Sequence, residues 1–72
     1  MNAQLAEYFY KSIIYQRQIL DANKADGKKT AYKQNKAYYD GMMDIIRQIA
    51  YYELQKGDGS ISNLLAKYGY DL

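Results

Sequence analysis

Leu5, Phe9, Ile13 and Leu20 recur at helical spacing, and at about 100° per residue they fall within one quadrant, with Ala6 at its edge. Ile19, Tyr8 and Tyr15 widen that face on one side, and strong helix formers fill much of the remainder. The pattern predicts a first helix over residues 2–22, with these side chains turned inward. It lapses in NKADGKK (23–29), where turn formers and a glycine leave Ala25 as the sole apolar side chain. That segment reads as the tip of a helical hairpin.

A second stripe then gathers Ala31, Tyr38, Tyr39, Met42, Ile45, Ile46, Ile49, Ala50 and Tyr52, predicting a helix over residues 28–56. Its first turn is open at this level, since Asp26 and Thr30 can each accept from a free N–H. Gly41 falls inside this helix at a cost of about 1 kcal/mol, which close approach to the first helix or a local bend would offset. Asn35, Gln16 and Ser12 also fall on the inner faces, where a polar layer would fix register.

In GDGSIS (57–62), Gly57 suits the left-handed position after a helix and Ser60 suits an N-cap. A third helix over residues 61–68 would carry Ile61, Leu64, Leu65 and Tyr68 on one stripe, closed by Gly69 and packed across the open end of the hairpin. The expected fold is all-α: one small domain, 1–72, built as a long antiparallel helical hairpin plus a short C-terminal helix. Two such hairpins would dimerise into a helical bundle.

The same Asp58-Gly59-Ser60-Ile61 resembles the centre of an EF-hand calcium loop. With Gly59 at loop position 6, however, Leu54, Lys56 and Leu65 occupy positions 1, 3 and 12, which need oxygen ligands. In DANKADGKKTAY (21–32) the glycine falls one place late and Tyr32 stands where Glu belongs. No metal is expected at either place. GSISNLLAKYGYDL (59–72) resembles the opening helix and turn of a helix-turn-helix, with Ala66 three residues before Gly69 where the motif spaces its small residue four before. The stretch lacks the recognition helix that reads bases, so a DNA reader is not expected from it.

Composition narrows the chemistry. The 72 residues include ten tyrosines and no histidine, cysteine or proline. Without His or Cys the usual general base, the thiolate nucleophile and the commonest transition-metal ligands are missing. No Gly-rich phosphate loop appears either. The expectation is therefore a protein that is not an enzyme and takes no cofactor. A chain of this size buries only about 60% of its unfolded surface, so support from a partner is expected. No apolar run approaches a membrane span, and MNAQLAEYFYKS has no basic leader ahead of an apolar core, which points to a cytoplasmic protein.

Two surface constellations stand out. Lys24, Lys28, Lys29, Lys33 and Lys36, offset by Asp26 alone, give residues 24–36 a net charge of +4 within a chain of net +2. With Tyr32 among them, they would suit phosphate and a stacked base, although the cluster has no Arg for bidentate base contacts. The second set lies on the helix backs: Tyr10, Ile14 and Arg17 on the first, Arg47, Tyr51 and Leu54 on the second. Tyr and Arg are the residue types enriched at protein interfaces. Asp40 and Asp44, bracketed by Lys36 and Arg47, should form a solvated ion-pair ladder.

The reading is a non-enzymatic helical protein-interaction module that self-associates or binds a heterologous protein, with the lysine tip as a rival nucleic-acid contact. Compact Tyr- and Lys-rich helical chains of this size resemble the accessory proteins of phages and mobile elements in Gram-positive bacteria. That resemblance implies an inhibitor that acts by covering a surface of a host protein.

Overall fold

A computed structural model describes residues 3–67, which form three helices and no strand: α1 (Ala3–Ala25), α2 (Lys29–Gln55) and α3 (Ser60–Lys67). The proposed start at Asn2, the Tyr68 position of the third stripe and the Gly69 stop lie outside the described residues. The two long helices pack against each other as an antiparallel hairpin, and α3 packs chiefly on α2. The hairpin sets the long dimension, 42 Å against 19 and 15 Å.

Both turns are built by the same device. Gly27 takes φ +70° and Gly57 φ +87°, the left-handed region that a residue with a Cβ enters at a cost. After α1, the Lys28 N–H donates to the Asn23 carbonyl at 3.0 Å and the Gly27 N–H to Lys24 at 3.2 Å. After α2, the Asp58 N–H donates to Glu53 and the Gly57 N–H to Leu54, each at 3.0 Å. These nested bonds are Schellman motifs, which satisfy the last carbonyls of a helix.

The helix starts differ from expectation. Neither Asp26 nor Thr30 caps α2: Lys28 holds the N-cap position with no side-chain cap, and Thr30 lies inside the first turn. The Schellman turn spends Asp26 and Gly27 on ending α1, and α2 begins directly behind it. At α3 the accepting side chain is Asp58 rather than Ser60. Its Oδ1 takes the Ser60 N–H at 3.0 Å and the Ser60 hydroxyl at 2.6 Å. Thus the carboxylate of the loop resembling an EF-hand works as a helix cap.

The core is narrow. Ile13 and Leu20 of α1, Tyr39, Met43, Ile46 and Ala50 of α2, and Ile61 and Leu65 of α3 are buried, with Phe9, Met42, Ile49 and Leu64 packed at its margin. Met43 was not on the expected inner face yet is 1% exposed. Conversely Leu5, Tyr8, Tyr15, Tyr38, Ile45 and Tyr52, all expected inside, are exposed. A helix meets its hairpin partner along a strip one heptad stripe wide. The eight residues of α3 cover one flank of that strip, and these six side chains lie outside it. Gly41 likewise makes no close approach: nothing lies within 4 Å of a Cβ built there.

Candidate functional site

Four of these six side chains, Tyr8, Tyr15, Tyr38 and Ile45, share a surface with a simple origin. On α2 the buried stripe is Tyr39, Met43, Ile46 and Ala50, spaced four, three and four apart. One residue earlier runs a second stripe with the same spacing, Tyr38, Met42, Ile45 and Ile49, which Tyr52 extends. On α1 the core-side positions are 9, 13, 16 and 20, and Tyr8, Ser12, Tyr15 and Ile19 precede them by one residue in the same way. An offset of one residue turns a stripe about 100° around the helix. In an antiparallel pair the two offsets bring both second stripes to the same side. Members of both line one open groove between α1 and α2, with Tyr8, Tyr15, Tyr38 and Ile45 at its walls, Phe9 and Met42 at its floor, and Ser12 and Gln16 as its polar residues.

The exposures are large: Tyr8 66%, Tyr15 61%, Tyr38 62% and Ile45 61%. Among the described residues the large hydrophobic side chains left exposed outnumber the buried core, nine against eight. None of the residues lining the groove is charged.

The positions expected to make contacts from the helix backs fall elsewhere. Tyr10 is exposed beside the end of α3, with the Lys67 ammonium 5.6 Å from its ring centroid, and Ile14 is half-buried. Arg17 turns inward across the hairpin, where Nη1 donates to the Tyr39 hydroxyl at 3.4 Å. Arg47 pairs with Asp44 at 3.1 Å. Tyr51 and Leu54 are exposed, and a Leu54 methyl lies 3.9 Å from the Cβ position of Gly59 at the α2–α3 turn. The six positions thus comprise a cation–ring contact, a half-buried side chain, a cross-helix bond, an ion pair and two exposed side chains. The signal for the groove was present as adjacent apolar pairs, Tyr38-Tyr39, Met42-Met43 and Ile45-Ile46, repeating at heptad spacing.

Lysines cluster at the hairpin tip as the charge count implied. Lys24, Lys28, Lys29 and Lys33 surround one shallow depression with Asn23 and Tyr32. Lys36, one turn further along, instead pairs with Asp40 at 2.9 Å. That hydrogen bond, and then the carboxylate charge, raises the Lys36 pKa above its ordinary 10.5. Lys56 is also raised, first through the Tyr52 hydroxyl, and its ammonium lies 4.1 Å from the Tyr52 ring centroid.

Among the described residues no group of three or more acidic side chains is placed to hold a metal, and no helix is long and apolar enough to cross a membrane. The fold and groove define a three-helix hairpin protein with one long face that the described residues leave uncovered. No protein-family model, curated protein or solved structure matches the chain.

Proposed function

We propose that the chain is a non-enzymatic protein-interaction module of the cytoplasm that works through the groove between α1 and α2. The observation that carries this is the pair of second heptad stripes, with Tyr8, Tyr15, Tyr38 and Ile45 each more than 60% exposed on one uncharged surface. Water is a poor neighbour for such a surface, and contiguous apolar patches of this kind mark sites of contact. Tyrosine suits an edge that must stand in water when alone and be covered when bound, because its ring is apolar and its hydroxyl remains hydrated. Absence of His and Cys from the sequence supports a role without covalent chemistry. The resemblance to phage and mobile-element accessory proteins agrees with a small chain whose work is to cover a surface.

Tyrosine labelling tests this reading. In dilute purified chain, Tyr8, Tyr15 and Tyr38 should react as readily as Tyr51. In the cells that make the protein they should be protected relative to Tyr51. Equal labelling of all four in both settings would end the reading.

A second reading rests on the lysine tip. Lys28 and Lys29 sit at the start of α2, whose first turn carries no acidic residue. Cations are unfavourable there because the helix dipole is positive at that end. A local rule broken in this way often marks a functional position. Nucleic acid is the corresponding ligand, held through phosphate by Lys24, Lys28, Lys29 and Lys33 around Tyr32. Binding of a single-stranded oligonucleotide that weakens steeply with salt, and is lost in Lys28→Glu/Lys29→Glu/Lys33→Glu, is the expected result. An oligonucleotide that does not bind at low salt removes this reading.

A further inference from the structure

We infer that the groove is closed by a second copy of this chain, running in the opposite direction, so that two hairpins form a four-helix bundle. This inference rests on the groove being the contact surface. Its first support is the period. Both second stripes keep a spacing of three and four residues, the repeat by which helices interlock side by side. What fits against a pair of such stripes is another pair with the same repeat, and a second copy supplies both.

Area is the second support. At about 200 Å² for a large side chain, the exposures of Tyr8, Tyr15, Tyr38 and Ile45, from 61% to 66%, leave about 500 Å² open on the groove walls, and the exposed Leu5 and Tyr52 beyond its lining would add about 200 Å². The partly buried floor of Phe9 and Met42 adds to this. A stable interface takes about 800 Å² from each partner. The groove together with these flanking side chains therefore approaches the size a dimer needs, and with no charged lining residue it meets its own copy without repulsion.

Charge and register set the direction. Pairing with the tips together would place two segments of net charge +4 side by side, while the reverse pairing puts them at opposite ends. In the reverse pairing, α2 of one copy lies against α2 of the other. Ile45 stands seven residues from Tyr38 and seven from Tyr52. A two-fold axis beside Ile45 thus sets Ile45 against itself and Tyr38 of each copy against Tyr52 of the other, a self-complementary contact.

The test is the solution mass of the full chain by light scattering, from low micromolar to millimolar, together with cysteine cross-linking. The expected mass at high concentration is twice 8.4 kDa, and high salt should not lower it, because the seam carries no charge. Ile45→Lys should return the mass of one chain with the helical circular dichroism intact. Because the sequence has no cysteine, Ile45→Cys reports alone. The reversed pairing brings the two Cα atoms within disulfide reach, so oxidation should link two chains.

Three results overturn the inference. A one-chain mass at every concentration removes the second copy, and the contact surface itself then stands or falls on the tyrosine labelling. A two-chain mass that survives Ile45→Lys removes the face. If Ile45→Cys stays unlinked while a mixture of Tyr8→Cys and Ile45→Cys chains links, the tips lie together and the direction is wrong.

Discussion

Arg17 of α1 donates from Nη1 to the hydroxyl of Tyr39 on α2, 3.4 Å away, with its guanidinium carbon 6.0 Å from the same ring's centroid. Tyr39 is 3% exposed, so this contact joins a buried ring to a cation at the edge of the core. It binds the two long helices just before the lysine tip. An arginine that the sequence offers as a surface contact thus stabilises the hairpin itself. Tyr39→Phe keeps the ring and loses the hydroxyl, with an expected cost of about 1 kcal/mol. Tyr39→Ala also empties the core position, and about 3 to 5 kcal/mol is expected. Urea unfolding of both variants checks the order, and equal costs would mean that the buried ring adds nothing beyond its hydroxyl.

The glycines at positions 41 and 57 should respond to alanine with opposite signs. Gly57 has φ +87°, so Gly57→Ala pushes a Cβ into the left-handed region at a cost of about 1 to 2 kcal/mol. Gly41 is helical, with nothing within 4 Å of a built Cβ. Gly41→Ala should therefore stabilise by about 1 kcal/mol through helix propensity. Thermal melts read both, and making the Gly41 change in Ile45→Lys keeps association out of the comparison. If Gly41→Ala destabilises in that background, the position is crowded after all.

The α3 start depends on Asp58, whose Oδ1 accepts from both the Ser60 N–H and its hydroxyl. Asp58→Ala should cost about 1 kcal/mol, the usual cost of losing a cap. Ser60→Ala leaves the backbone bond in place and should cost less. Because Ile61 and Leu65 of α3 are fully buried, fraying there also exposes core. Amide exchange of residues 61–65 should accelerate more in Asp58→Ala than in Ser60→Ala.

Lysine at the first position of α2 works against the helix dipole. Lys29→Glu should raise stability by about 0.3 to 1 kcal/mol at low salt, with the gain shrinking as salt is added. If the tip holds nucleic acid, the same change weakens oligonucleotide binding. Opposite movements of stability and binding would identify a position kept for contact rather than for folding.

Lys36 should titrate above 10.5 because it donates to Asp40. A folded-state value above the unfolded one means that the pair's contribution is complete below 10.5 and is lost as pH rises through the folded value. In Asp40→Asn the lysine should return toward 10.5, which nitrogen-detected NMR reads directly. Both partners are about half exposed, and such surface pairs contribute little. An unchanged lysine would mean that the pair does not persist in solution.

Much of the architecture is legible locally. The Gly27 and Gly57 turns need a left-handed residue and nested bonds to nearby carbonyls, so the turn chemistry is contained in a few consecutive positions. The Lys36–Asp40 and Asp44–Arg47 pairs follow from helical spacing alone. What periodicity left open is the division of an apolar face wider than one contact. Tyr38 and Tyr39 are adjacent and chemically identical, yet one is 62% exposed and the other 3%. The same holds for Ile45 and Ile46, at 61% and 3%.

The sequence by itself therefore determined three helices, two glycine turns and a lysine tip, because each depends on neighbours a few residues away. Only the tertiary structure decided which of two parallel stripes on each helix meets the partner helix and which faces water. That choice depends on how α1 and α2 rotate against each other and which flank the short α3 covers. Side chains far apart in the chain settle both, and either stripe alone would satisfy the local pattern.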